Sequence, residues 1–423
     1  WVERLRESAF ASFERLGFPT PRHEEWKYTN VAPIAKAKFD TAFDNPKDTA
    51  ILDASQLQTF TYEEALGSQL VFVNGVYRQE LSSVEALPGG VAALDIADAL
   101  KEEKYQDVIR EQLARSADFN ENAFTALNTA FLESGAFLFI PEGLQVESPV
   151  HLLFLSDGRD APTVSFPRVL IVAERGSAAT VIESYTSTSE DAYFTNAVVE
   201  INLGEGARLN HYKVQRESTE AFHVATTQAS LGRNSSYNST AITLGGRLSR
   251  HDINVTLDQE GAECWVDGLY IVGTGQHADT HSLIDHRQPH CTSHQLYKGI
   301  LDGKSRAVFN GKVFVREGAQ QTDAKQTNRN LLLSNEARVD TKPQLEIFAD
   351  DVKCAHGATV GQLEEEELFY LTSRGLNPDI ARNLLTYGFA EEVIEKIKVA
   401  SIKAQLDGAV LNRLHSGLEA ESL

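Results

Sequence analysis

A thiol and an imidazole two residues apart, Cys354 and His356, form the pair in this chain best suited to metal chemistry. In an extended backbone, residues i and i+2 point to one face, here about 6.6 Å apart along the strand. Gln344 to Phe348 alternates polar and apolar residues, the period of a half-buried strand, and Gly357 and Gly361 bracket a tight exit. Thiolate and imidazole are soft-to-borderline ligands that suit zinc or iron–sulfur centres. A tetrahedral centre takes four ligands, so the pair supplies half a site and the rest must come from elsewhere, another chain included. Without metal, the same residues are a packed thiol and a surface histidine.

Other candidates are weaker. His277, His281, His286, His290 and His294, with Cys291, place five of the twelve histidines within 18 residues. Their spacings of 4, 5, 4 and 4 are helical, but the surrounding residues are strand- and turn-like, so the imidazoles scatter. Structural hydrogen bonding inside the fold is favoured there over a metal-handling patch. Gly299-Ile300-Leu301-Asp302-Gly303-Lys304-Ser305 imitates a phosphate loop but is one residue short between its glycines, and no apolar helix follows. Gly273-Thr274-Gly275 imitates a dinucleotide fingerprint, yet the polar stretch 279–288 ends at a proline. No Gly-x-Ser-x-Gly elbow occurs, and Cys264, alternating with apolar neighbours, reads as a core thiol.

Bulk properties narrow the field further. At 423 residues, 42% hydrophobic, the chain can bury two or three cores. A formal charge of −21 repels phosphate backbones and anionic membranes, which argues against nucleic-acid and membrane partners. No apolar run approaches the roughly 18 residues of a membrane span. Three cysteines without a secretory leader point to a reducing, cytoplasmic compartment. The chain opens on Trp1 and contains no Met, from which we expect the native start to lie upstream.

The elements that must position the pair fall into three stretches: 1–134, 135–361 and 362–423. The first opens with an amphipathic helix, Val2 to Leu16, stopped by Gly17; Pro19 and Pro21 then lead into Trp26 and Tyr28, read as packing anchors. Strand-like 70–77 and helical 108–117 and 123–131 make this stretch mixed but mainly helical. From Gly135 helical periodicity vanishes. Turn residues precede new strands at Gly176, Gly206, Asn234 and Gly261, at intervals of 30, 28 and 27, with shorter returns at Gly318 and Glu336, 18 apart. Strand-only repeats of this size predict a β-helix, with a sandwich as the alternative. Helical periodicity returns at 363–371, where Arg374-Gly375 gives a stop. Asn377-Pro378 gives an N-cap and first-turn proline, and a last helix spans 400–414. Leu384, Leu385, Phe389, Val393 and Ile397 form an apolar stripe that must cap the solenoid, dock a partner, or both.

The block from Lys342 to Gly361 resembles the signature of the SufB/SufD family of the SUF iron–sulfur cluster assembly machinery. Residues 368–375, 305–311, 245–255 and 24–29 match too, so the resemblance covers nearly the whole chain. It implies a mainly β protein: a right-handed parallel β-helix core flanked by helical N- and C-terminal domains. It further implies a non-enzymatic scaffold that pairs with a SufB-like paralogue and binds a SufC-like ABC ATPase through its C-terminal helices. The nascent cluster, or iron, would be held transiently at the subunit interface with His356 as ligand and Cys354 beside it. SufB carries a cysteine where this chain has Leu371 and lacks the Cys-x-His block, which places the chain on the SufD side. Whether it homodimerises alone is open. A β-helix enzyme acting on polysaccharide and a metal-free interaction solenoid are the alternatives; the first is usually secreted and needs a carboxylate–arginine site not evident here.

Overall fold

The structure, a computed structural model, describes residues 1–41, 57–157 and 162–420. Its strands obey a period of two: in Thr322–Leu332, residues Thr322, Ala324, Gln326, Asn328 and Asn330 are buried while Lys325 and Arg329 face solvent. From Arg168–Ala173 on, strands pair in parallel with the second strand after them in sequence, so consecutive strands alternate between two sheets. Along one sheet the equivalent positions are Phe194, Phe222, Leu248, His277, Arg306 and Arg338. The steps of 28, 26, 29, 29 and 32 residues show why the repeat is blurred in the sequence. The result is a parallel β-solenoid of about eight turns with helices at both ends, as expected, and not a sandwich.

Inward positions stack into ladders. One runs Leu138, Ile171, Ile201, Ala229, Val255, Ile284, Val313 and Leu345, one residue per turn. All but Leu345 are fully buried, and burying such a branched side chain contributes about 1.5–3 kcal/mol.

The corners explain the intervals. Gly143, Gly176, Gly206, Asn234, Gly261, His290 and Gln321 all take left-handed φ, from 52° to 72°. From Gly176 on, each donates its N–H to a carbonyl one turn further along, as Gly206 does to Arg233 O at 2.7 Å and His290 to Gln320 O at 2.9 Å. Glycine and asparagine enter this region cheaply. The last two corners use ordinary side chains, so a search for small turn residues stops at Gly261. Gly318 and Glu336 belong to successive corners of one turn, flanking the strand Thr322–Leu332, and their spacing is about half a repeat.

The N-terminal stretch is less helical than expected. The helix Val2–Leu16 ends at Gly17 with φ 63° and packs against the helix Ala123–Ala130. But strand Gln69–Val73 joins one sheet, parallel to Val150–Ser156, and Ala92–Asp95 joins the other, antiparallel to Ala136–Ile140. Both sheets therefore continue into this stretch and cover the first turn. The helix expected at 108–117 is Glu103–Gln112. It stops where Ala114, at φ 57°, turns the amides of Ala114, Arg115, Ser116 and Ala117 onto the buried Glu200 carboxylate, which also pairs with Arg168. At the other end, helices Glu365–Ser373, Pro378–Ile394 and Ala400–Ala420 follow the expected signals: Gly375 at φ 95°, and Asn377 accepting from Asp379 N at 2.8 Å.

Candidate metal site at the open end of the solenoid

The last two strands, Arg338–Ile347 and Val352–Gly361, are each paired on one edge only, with Arg306–Val315 and Thr322–Leu332 respectively. Register fixes their inward faces. Val352, Cys354, His356, Ala358 and Val360 lie over the buried Thr322, Ala324, Gln326, Asn328 and Asn330. Thr341, Pro343, Leu345 and Ile347 lie over Phe309, Gly311, Val313 and Val315. Among the described residues no further turn covers these faces, so Ile347 is 39% and Val360 47% exposed, and His356 is exposed as well. Cys354 and His356 thus share one face, and that face is the uncovered mouth of the solenoid.

Cys354 is half-buried beside Val313, Val315, Ala319, Ala324 and Ala349. Burial pushes its thiol pKa up, partly offset by the Ala324 backbone amide, so metal binding must displace a proton. The sulfur and nitrogen donors suit iron or an iron–sulfur species, but only as half a coordination shell. Among the described residues no group of three or more His, Cys, Asp and Glu side chains converges as a metal site.

Under the mouth lies a polar floor. Gln326 Nε2 donates to Gln295 Oε1 at 2.8 Å, Asn328 Nδ2 to Tyr297 O at 3.2 Å, and Thr341 Oγ1 to Asn328 Oδ1 at 2.9 Å. Asn330 Nδ2 donates to Asn328 Oδ1 at 2.6 Å, and Tyr270 donates to Asn330. Sequence reasoning passed over these residues, although amides at 326, 328 and 330, two apart, mark one polar face of a strand. A second inner network, also unforeseen, joins Glu183 to His211 at 3.0 Å, Lys213 to His223 at 2.8 Å and His223 to Glu217 at 2.8 Å. Burial raises the Glu183 pKa, but the His211 bond and the Lys213 charge outweigh it and hold the carboxyl at about 2.

The histidine run is dispersed, as its spacing in strands requires. His277 and His281 face outward and hold the N-terminal segment, through Thr29 at 2.9 Å and Glu25 at 3.2 Å. His286 faces inward and bonds Ser293 at 2.8 Å, His290 forms a corner, and His294 stacks on Trp265. Trp26 is an anchor, with the Arg250 guanidinium 3.9 Å over its ring and Phe124 beside it. Both nucleotide-like runs are corners: Gly303 (φ 53°) leads into strand Arg306–Val315 and Gly275 (φ 83°) into His277–His286, so neither opens a helix. Cys264 is fully buried, and burial raises its thiol pKa.

The C-terminal stripe divides. Val393 and Ile397 are buried on the outer face of one sheet, against a cluster that includes Tyr212, Leu269 and Ile300. Lys396 Nζ reaches Asp267 at 2.8 Å, and Lys298 donates to Phe389 O at 3.0 Å and pairs with Glu392. Leu385 and Phe389 are half-buried. Leu384 is 50% exposed, one helical turn from the exposed Ile380, with Phe369 and Tyr370 exposed on the preceding helix.

Two family models cover this architecture. That of the SUF system FeS cluster assembly SufBD core domain matches residues 154–389, and that of the SufBD N-terminal region matches residues 1–152. The chain belongs to the SufBD family. An iron-sulfur cluster assembly SufBD family protein of Synechocystis is 39% identical over 409 residues, 95% of this chain and 88% of the relative. The iron-sulfur cluster assembly protein SufD of Escherichia coli is 33% identical over 95% of this chain and 91% of its own length. SufD of Bacillus subtilis is 29% identical over 96% and 92%. The SufBD core match spans the solenoid strands from Thr163–Ser165 on, including the open mouth, and the helix Pro378–Ile394 as far as Phe389. No described helix is long and apolar enough to cross a membrane.

Proposed function

We propose that this SufBD-family chain is a non-enzymatic scaffold subunit for iron–sulfur cluster assembly, working in the cytoplasm. It pairs with a SufB-like paralogue and a SufC-like ABC ATPase and contributes His356 and Cys354 to a nascent cluster. The observation that carries this reading is the placement of both donors on the uncovered inner face of a strand whose outer edge is unpaired. Iron and sulfide are cargo. His356 offers a ring nitrogen, and Cys354 gives up a proton to become a thiolate ligand. The remaining ligands come from the paralogue as it covers the mouth, so the isolated chain binds iron weakly. Without the paralogue, a second copy of this chain can occupy the same edges.

The exposed part of the helical tail, Leu384 with Ile380, Phe369 and Tyr370, is the surface offered to the ATPase. Leu385, Phe389, Val393 and Ile397 tie that surface to the solenoid, so movement of the ATPase is passed to strands Glu263–Val272 and Thr292–Leu301. The same proposal divides the chain at 134 and 361.

The experiment is anaerobic reconstitution of the complex with absorbance and iron counting. His356→Ala is expected to keep fold and complex but lose the cluster, and Cys354→Ala to be milder. Normal cluster content with His356→Ala sinks the ligand assignment.

A further inference from the structure

Gln295, Gln326 and His356 occupy one register position in three successive turns and project from the same inner face. Gln326 is only 1% exposed. Its amide nitrogen donates to Gln295 Oε1 at 2.8 Å, an oxygen that also accepts from Ser282 Oγ at 3.1 Å. In this arrangement the Gln326 carbonyl oxygen is turned away from Gln295. The amide lies against Gly311, where an added Cβ would meet Gln326 Nε2 at 2.5 Å. The glycine leaves room for the amide to reach across the interior. Gln326 Oε1 is then buried with no hydrogen-bond partner among the described residues, and a buried carbonyl of this kind calls for a donor. The next rung of the ladder is His356.

We propose that Gln326 is the positioning residue for His356: its carbonyl accepts one imidazole N–H and leaves the other ring nitrogen unprotonated at the open mouth. The metal-facing half of this statement rests on the reading of His356 as a ligand. A neutral imidazole carries one N–H and one lone pair, so a fixed acceptor on one nitrogen sets both the tautomer and the orientation of the ring. An exposed histidine on an end strand otherwise samples rotamers and tautomers, and a ligand must give these up when metal arrives. An amide suits the task because it adds no charge beneath the mouth. Ser282 and Gln326 converge on Gln295, which holds the acceptor in place from the covered turns below.

The test uses the full chain alone, labelled with nitrogen-15 in its imidazole rings, with His356 assigned by its loss in His356→Ala. The wild type is expected to show one predominant His356 tautomer. Gln326→Leu, which removes the acceptor, is expected to give a mixture of both tautomers. Gln326→Glu, which keeps an acceptor, is expected to retain a single form and guards against a leucine variant that fails to fold. In the complex with the SufB-like paralogue, Gln326→Leu is expected to weaken iron binding roughly 10–100-fold with complex formation intact. Mixed tautomers in the wild type or in Gln326→Glu, or one unchanged tautomer in folded Gln326→Leu, overturn the positioning role. Undiminished iron binding with Gln326→Leu does so too. Full cluster content with His356→Ala overturns the ligand reading instead, which the tautomer measurement on the isolated chain does not touch.

Discussion

The two ends of the solenoid carry the same strand period and meet opposite fates. At the first turn, inward Leu138 and Ile140 are fully buried, because Ala92–Asp95 and Gln69–Val73 complete the sheets and bring Leu70, Phe72 and Ala93 into the same cluster. At the last turn, the ladder that Leu138 starts ends in the half-buried Leu345, and its neighbour Ile347 is 39% exposed. The inner face changes character as well. It is apolar at the covered end, with Phe72 stacked on Phe154, and rich in donors and acceptors under the mouth, from Gln326 to Asn330 and Thr341. Unprotected strand edges invite pairing with another chain, and proteins usually blunt them. Here one end is blunted by the chain's own strands, and the other keeps its edge groups open to pairing.

The sharpest way to break this contrast is to truncate one ladder at both ends. Leu138→Ala is expected to cost about 2–5 kcal/mol, the range for a fully buried leucine. Leu345→Ala in the isolated chain is expected to cost less than half as much. Urea denaturation of both variants measures this, and equal losses would mean that the mouth is as well packed as the covered end.

A second expectation concerns acid. Burial, partly offset by Asp285, lowers the His286 pKa from 6.5 to about 4. Between those values the unfolded chain takes up a proton that the folded chain refuses. The stabilisation is complete above pH 6.5 and is lost as pH falls towards 4, by up to about 1.4 kcal/mol per unit. His151, lowered to about 3 by burial, adds to the same trend. His286→Gln is expected to flatten the slope, read from denaturation midpoints at pH 6.5 and 4.5. An unchanged slope removes His286 from the account.

The tail offers a smaller effect. Leu384→Asp leaves the fold untouched but is expected to weaken ATPase binding at least tenfold, about 1.4 kcal/mol by calorimetry. Val393→Asp places a charge in the buried cluster and should detach the helix from the sheet. Deleting residue 377 onward is a poorer experiment, since it would bare Tyr212, Leu269 and Ile300 as well. Equal ATPase affinity for Leu384→Asp and wild type would move the docking surface elsewhere.

The smallest effect is on stability at the site itself. His356→Ala in the isolated chain is expected to shift the denaturation midpoint by no more than about 0.5 kcal/mol, as for other exposed positions. A larger loss would show that the histidine serves the fold.

Much of this was legible in local pattern. A period of two put Cys354 and His356 on one face. Turn residues at 176, 206, 234 and 261 disclosed the solenoid, and Gly17, Gly375 and Asn377 disclosed helix ends. These signals are local because φ preference and strand alternation act within a few residues. Tertiary structure decided the rest. His290 and Gln321 complete the corner ladder only because stacked turns hold their N–H groups on the next carbonyl, overriding the small-residue preference. Gln69–Val73 and Ala92–Asp95 became strands of the main sheets because the first turn presents open edges to them. The apolar stripe gave up Val393 and Ile397 to the sheet and left Leu384 outside, since a helix lying on a flat face buries only one side. And His356 is exposed while Gln326, one turn below on the same face, is buried, because no turn follows it. Alternation tells which face a residue takes; only the presence or absence of the next turn tells whether that face is core or site.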